Sequence, residues 1–446
     1  MKIRYILLNI LTFCWFISGS AQSGFNFYGI NKDKQQISFK LKNNLIVIPI
    51  EINGKKLSFI LDTGVNKTIL FNLSDNDSIG LKNVEKVKLQ GLGQGESVSA
   101  LISKKNTFRI KQLISSNEDV YVILKDKFKV SSRMGTTIHG IIGYNLLRDV
   151  IVKINYNNKK ITFYNPDTFK YSKCRKCETF PLDFFRNKPY IDAVVQMDTV
   201  GNKKTKVKML IDSGGSDALW LLENTKKDIK TPKLFFNDIL GEGLSGTIYG
   251  KRSRIPEFRL GKFKFKNPTV SFLDSVSSSN ARKFKERNGS IGNNILKRFR
   301  TWIDYPNKKI TFKKTSSFNG GFNYNMSGIN VIYNGVELVK EKETKKVIDS
   351  FGNIQEDATS FSFVSSFKYK FKPSYIIDRI VEDSPAFLAG IKVNDVIFSI
   401  NGKRSHEYKL ENIMEVFQSK PNKKIRISVI RNSKKLSFEF RLQKKI

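Results

Sequence analysis

Apolar residues in this chain fall in short runs rich in Ile, Val, Leu and Phe, separated by glycine, asparagine and lysine. Leu45 to Ile50 is such a run, followed by Asn53-Gly54 and then by Leu57 to Leu61. Short apolar runs bounded by turn residues read as strands, and Asn-Gly between two of them reads as a hairpin. Further strands are predicted at Phe108 to Ile110, Val120 to Leu124 and Val150 to Ile154. The pattern then returns at Tyr190 to Gln196, Gly201-Asn202 and Val207 to Ile211. Helical spacing is limited to Ala281 to Arg287, to short stretches after Gly143 and Gly292, and to Leu410 to Gln418. Residues 24–42 read as a polar lead-in, and the whole chain as mainly β.

The return of the pattern is a duplication, and self-similarity of this kind decides architecture before any single motif does. Phe59-Ile60-Leu61-Asp62-Thr63-Gly64 is echoed by Met209-Leu210-Ile211-Asp212-Ser213-Gly214, with Asp62 and Asp212 150 positions apart. Gly91-Leu92-Gly93-Gln94-Gly95 is answered by Gly241-Glu242-Gly243-Leu244-Ser245-Gly246. Gly140-Ile141-Ile142-Gly143 is answered by Gly289-Ser290-Ile291-Gly292, and Lys159-Lys160-Ile161-Thr162-Phe163 by Lys308-Lys309-Ile310-Thr311-Phe312. One fold occurs twice, over residues 43–165 and 179–314. In each copy a buried strand delivers an acid, a hydroxyl and a glycine. A lone copy is an ordinary turn after a strand. A pair in matching context points to two carboxylates brought together.

Composition narrows the chemistry. The 446 residues suffice for two or three domains. Two histidines, His139 and His406, leave little for a Ser-His or Cys-His centre or a His-ligated zinc site. No metal or organic cofactor is implied. The formal charge of +38 is spread over strands and loops in short runs, without a nucleic-acid module, and reads as solvated lysine-rich faces. The alternative is peripheral contact with an anionic envelope surface. Lys2 and Arg4, the apolar stretch to Ile17 and the small residues Gly19 and Ala21 read as a signal peptide over residues 1–21. An exported, periplasmic or extracellular protein is expected. Cys174 and Cys177, the cysteines beyond that leader, read as a local disulfide staple.

Asp62-Thr63-Gly64-Val65-Asn66-Lys67-Thr68-Ile69-Leu70, with Ile141-Ile142-Gly143 downstream, resembles a lobe of the retropepsin-like aspartic peptidases. Asp212-Ser213-Gly214-Gly215-Ser216-Asp217-Ala218-Leu219-Trp220, with Ser290-Ile291-Gly292, resembles the second lobe. Val65, Asn66 and Ser290 depart from the family pattern. The resemblance covers about residues 40–315 and implies two pseudosymmetric β lobes in one chain, a monomer with both lobes in cis. It implies a catalytic dyad of Asp62 and Asp212, with Thr63, Gly64, Ser213 and Gly214 supporting it. It also implies flaps around Gly91, Gly93, Gly95, Gly241 and Gly243, closing over a peptide or protein substrate.

The C-terminal part carries Ile376-Ile377-Asp378-Arg379-Ile380-Val381, Ser384-Pro385-Ala386, Ala389-Gly390-Ile391, Asn394-Asp395-Val396-Ile397 and Asn401-Gly402. It resembles a bacterial PDZ domain (α+β), placed at residues 325–446 after a linker at 315–323. Asn394 stands where glycine is usual. The resemblance implies a peptide groove at Ser327, Gly328, Ile329, Leu410 and Ile413, with residues 334–373 as an insertion. Three functions remain open on sequence alone: an aspartic endopeptidase, a catalytically weak protease fold that binds peptides through its PDZ domain, and a basic envelope-associated scaffold.

Overall fold

The computed structural model describes residues 24–30, 32–73, 79–92, 95–124, 129–200, 203–273, 275–344 and 365–446. The expected leader at 1–21, the turn Gly201-Asn202 and the flap residue Gly93 lie outside the described residues. The chain divides into two units. One comprises 1–128, 138–235 and 239–322, the other 129–137, 236–238 and 323–446.

Within the first unit both repeats build the same sheet. Lys55–Leu61 pairs antiparallel with Leu45–Ile52 and parallel with Gly140–Ile142, which pairs antiparallel with Thr68–Leu70. In the second repeat Lys204–Ile211 pairs in the same ways with Lys188–Gln196 and Arg287–Ile291, and the latter with Leu219–Leu222. The registers correspond: Ile60 opposes Val47 and Ile141, and Leu210 opposes Tyr190 and Ser290. A strand enclosed between neighbours and covered on both faces needs a continuous apolar run. Phe59, Leu61, Met209 and Ile211 accordingly are buried. Asp62 and Asp212 come at the ends of these strands. Their amides donate to Ile142 O (2.8 Å) and Ile291 O (3.0 Å), so each carboxylate is fixed to the strand beside it.

A further sheet joins the repeats. Ile151–Asn155 pairs antiparallel with Phe299–Asp304, and each also pairs with its own hairpin partner, Lys160–Tyr164 or Lys309–Lys314. The repeated Lys-Lys-Ile-Thr-Phe landmarks supply those partners. The sheet's outer strands are Lys34–Ser38 and Cys177–Pro181. The lead-in is therefore structured: Phe25, Ile37 and Phe39 are buried, and the alternation Gln36-Ile37-Ser38-Phe39 points its two apolar residues the same way. Cys174 and Cys177 form the expected disulfide, with Cα atoms 5.3 Å apart.

Two expectations change. The helix predicted over Ala281 to Arg287 is a 3-10 turn at Ala281–Lys283. Phe284 turns away to stack on Phe185, with centroids 4.5 Å apart, and Arg287 opens the strand Arg287–Ile291. Residues 315–323, read as a linker, are held down: Phe318 and Phe322 are buried. Arg298 donates to the carbonyls of Phe318, Gly320 and Gly321.

The second unit has the sheet order Ile329–Thr344, Ser365–Ile380, Val396–Ile400, Lys424–Arg431, Lys434–Arg441. The helix Leu410–Phe417 buries Leu410, Ile413 and Phe417 in a core with Ile329, Ile377, Ile397 and Ile427. Ser384 caps Pro385–Leu388 by accepting from the Phe387 amide (3.3 Å), and Pro385 occupies the first turn, where it lacks only an unneeded donor. The described part of 334–373 extends the first two strands, paired from Val336 with Pro373 to Thr344 with Ser365.

Asp395, 1% exposed, receives Arg431 Nε (2.6 Å) and a second Arg431 nitrogen (2.7 Å), together with the Lys392 amide (2.9 Å). Asp395→Ala leaves these donors without their acceptor and is expected to destabilise this unit by about 2–4 kcal/mol. Faster hydrogen exchange at the Ile397 and Ile427 amides is the check. Unchanged exchange would show that water replaces the carboxylate at little cost.

Candidate active site

The loops that follow the two central strands are locked together by a reciprocal exchange. Thr63 N donates to Ser213 Oγ (2.9 Å), and Ser213 N donates to Thr63 Oγ1 (2.9 Å). Each hydroxyl then donates across to the other repeat, Thr63 Oγ1 to Ile211 O (2.6 Å) and Ser213 Oγ to Leu61 O (2.8 Å). Four buried groups are thereby satisfied between segments 150 positions apart. A hydroxyl is the group required at both positions, because it alone accepts and donates in this geometry.

The lock sets the carboxylates side by side. A Cβ placed on Gly64 would lie 3.0 Å from Asp62 Oδ1 and 3.1 Å from Asp212 Oδ1, and one on Gly214 would collide with the Asp62 carboxylate. Glycine is needed at both positions for this close approach. The Gly64 amide donates to Asp62 Oδ1 (2.6 Å) and the Gly214 amide to Asp212 Oδ1 (3.1 Å).

Burial, and then the neighbouring Asp212 charge, push the Asp62 carboxyl up to about 7. Burial also raises Asp212, but Arg287 and Lys188 pull it back. Two carboxylates in such contact hold one proton between them more tightly than either would alone. The folded state thus retains a proton that an unfolded aspartate releases near about pH 4. Folding stability falls as pH rises from about 4 through about 7, since the native state binds more protons there. The thermal midpoint is expected to drop across that window, and Asp62→Asn to flatten the drop. Circular dichroism melts of both proteins at several pH values test this, and parallel curves would refute it.

The glycine-rich segments are hairpin tips. The first lies between Glu85–Leu89 and Val98–Ile110, the second between Phe236–Gly243 and Gly246–Arg254. They bond to each other: Gly95 N to Ser245 O (2.6 Å), Ser245 N to Leu92 O (2.9 Å) and Gly91 N to Ser245 Oγ (3.1 Å). Asn280 Nδ2 adds a bond to Gly91 O (2.7 Å). A Cβ on Gly243 would strike the Leu92 carbonyl, so that glycine permits the meeting. A Cβ on Gly241 would meet nothing.

Residues 48–146 and again 196–295 match the family described as aspartyl protease, and residues 376–431 match the PDZ domain family. Both repeats place their acid-hydroxyl-glycine loops within those matches. This chain belongs to the retropepsin-like aspartyl proteases and carries a C-terminal PDZ domain. It is also similar to the serine endoprotease DegS of Salmonella typhimurium, 35% identical over 68 residues, or 15% of this chain and 19% of that protein. The likeness thus spans about a fifth of that relative's length.

In this protease-fold chain the residues expected to line a peptide groove in the PDZ unit are mostly internal. Ser327 is buried, with Oγ donating to Asn325 Oδ1 (2.7 Å) and accepting from Ile329 N (3.0 Å). Gly328 has φ 82°, and a Cβ there would overlap Ser384. Ile329, Leu410 and Ile413 are buried in one cluster. Residues 129–137 belong to the same unit. A Cβ on Gly135 would stand 3.3 Å from Leu410 Cβ, and Lys129 and Arg133 each lie 3.5 Å from Asp378.

Sequence reasoning missed several site residues. Asn293 donates to Ser213 O and receives Tyr156 OH (2.7 Å) behind the second loop. Asp217 gathers Trp220 Nε1 (2.8 Å), Ser271 Oγ (2.8 Å) and Arg252 (3.1 Å). Ser245 holds the two hairpin tips together. Lys188, Arg287 and Tyr305 surround the dyad electrostatically. The repeat carried no signal for Asn293 or Asp217, because Tyr144 and Lys67 stand at the matching positions of the first copy.

Proposed function

We propose that this protein is an exported aspartic endopeptidase that hydrolyses peptide bonds with a water activated between Asp62 and Asp212. The observation that carries the reading is the reciprocal Thr63–Ser213 exchange, which places two half-buried carboxylates against the same glycine. One carboxylate acts as base on water while the protonated one acts as acid on the carbonyl oxygen. The departures from the family pattern are accommodated: Ser290 Oγ accepts from Arg287 (2.7 Å), and Asn66 Nδ2 donates to Arg186 O (3.2 Å).

The flap tips cover a substrate strand and must part to admit it. The PDZ unit captures an extended or C-terminal peptide by strand addition and presents it. The Cys174–Cys177 disulfide supports an oxidising compartment and hence export.

The test is digestion of a diverse peptide mixture by the chain from Gln22 onward, over about pH 4–8, beside Asp212→Asn. Products that disappear in the variant support the reading. A folded protein that yields none at any pH overturns it and leaves peptide binding as the function.

A further inference from the structure

Superposing the two repeats by register exposes three positions where they differ in kind. Asp62 corresponds to Asp212 and Gly143 to Gly292, so Ile138, His139 and Ile141 correspond to Arg287, Asn288 and Ser290. The structure supports this alignment. His139 Nδ1 accepts from Ser58 N (3.1 Å), and Asn288 Oδ1 accepts from Lys208 N (2.8 Å), the same bond in each lobe. Likewise Val47 and Tyr190 oppose Ile60 and Leu210, which makes Leu45 the counterpart of Lys188. The first lobe thus has Leu45, Ile138 and Ile141 where the second has Lys188, Arg287 and Ser290.

Arg287 is 4% exposed. It donates to Ser290 Oγ (2.7 Å) and Gly289 O (3.3 Å) and acts electrostatically on Tyr190, and no carboxylate among the described residues forms an ion pair with it. A buried guanidinium without a contact counter-ion is unfavourable unless an anion lies near. Asp212 is the anion it acts on: the Arg287 guanidinium reaches along its strand to Ser290, which opposes Leu210, two residues before Asp212, and the same strand holds the Asp212 amide at Ile291 O. Lys188 acts on both carboxylates and opposes the ionisation of neither. Asp62 has Ile138, fully buried, in the position of Arg287, and the Tyr305 hydroxyl nearby, buried without a hydrogen-bond partner among the described groups.

We propose that Arg287, braced by Ser290, makes the dyad one-sided, holding Asp212 as the anion and leaving the shared proton on Asp62. This rests on the peptidase reading for its catalytic meaning, though not for its physical content. The Asp212 carboxylate then takes a proton from water as the water oxygen bonds to the peptide carbonyl carbon, while Asp62 gives its proton to the carbonyl oxygen. In the collapse, Asp62 recovers a proton from one hydroxyl of the gem-diol as the carbonyl reforms. Asp212 hands its proton to the nitrogen as the C–N bond breaks, and the starting state is restored. Arg287 and Ser290 are positioning residues in this scheme. The charged and titratable groups around the pair are Asp62 and Asp212 themselves, Lys188 and Tyr190 on the strand to one side of Lys204–Ile211, Arg287 on the strand to its other side, and Tyr305.

The test is carbon-13 NMR of the aspartate carboxyls in the full chain from Gln22 onward, assigned through Asp62→Asn and Asp212→Asn. The Asp62 signal is expected to keep its protonated position towards about pH 7, while Asp212, raised by burial but pulled back by Arg287 and Lys188, ionises first. Arg287→Met is expected to raise the pH at which Asp212 ionises by about one unit, tenfold in proton affinity, and Arg287→Lys to restore most of it. If Arg287→Met does not fold, Lys188→Gln provides a second variant, in which both carboxyls move upward together. A proton found on Asp212 in the wild type, or an Asp212 titration unmoved in folded Arg287→Met, overturns the proposal. The acid limb of the cleavage profile should shift with the NMR titration. A wild type that shows the expected titration but cleaves nothing refutes the peptidase reading and leaves the one-sided dyad standing.

Discussion

Asp212→Asn is expected to lower kcat/KM for peptide cleavage by roughly ten-thousand-fold while leaving the fold intact. The amide keeps an oxygen to accept the Gly214 amide, so the loop geometry survives. What is lost is the base: an amide cannot take a proton from water at any accessible pH. Asp62→Asn removes the acid instead, and the double variant should be little worse than either single one, because the two groups act as a unit. Steady-state assays of the three variants on one cleaved peptide test this. Losses that multiply in the double variant would show independent roles and refute a shared-proton dyad.

Ser213→Ala is the second large effect, and it acts on the scaffold. Ser213 is 1% exposed, and its hydroxyl accepts from Thr63 N and donates to Leu61 O. Removing it strands two buried backbone groups, each worth about 1–3 kcal/mol when unsatisfied. A combined loss of about 2–6 kcal/mol lowers the melting midpoint of this unit by roughly 5–10 °C. Ser213→Thr retains both bonds, since threonine already fills the matching role at position 63, and should melt close to the wild type. Activity in Ser213→Ala is expected to fall along with stability, because the carboxylates lose their common support. A Ser213→Ala protein that melts like Ser213→Thr would mean that water enters the loop and replaces the hydroxyl.

The features legible in the sequence were those written twice. Phe59 to Gly64 and Met209 to Gly214 announced the paired loops because a buried strand ending in an acid is a costly arrangement that chance seldom repeats in register. The PDZ unit was legible for a similar reason: Ser384-Pro385-Ala386 is a helix start whose cap and proline have local physical roles.

Features that depend on the fold were hidden. Lys34–Ser38 is polar by composition, and only its pairing with Lys160–Tyr164 gives Ile37 a core to enter. Residues 315–323 contain every sign of a linker. Arg298, which gathers their carbonyls, is distant enough in sequence to leave no local trace. Arg287 suited a helical run by its spacing, yet Phe284 found a better contact on Phe185 and the chain turned to strand.

The tandem arrangement of the lobes has a consequence for what can lie between them. In a twofold dimer of one short chain, any side chain placed beside one acid is placed beside the other, and the cleft reads the same from either end. Linked copies inherit their changes separately, so position 138 remains isoleucine while position 287 is arginine. A polypeptide has a direction, from amino to carboxyl end. On the peptidase reading, a cleft that is itself directional tells the two ways of entering apart, and each bound chain meets the acid and the base in a fixed order.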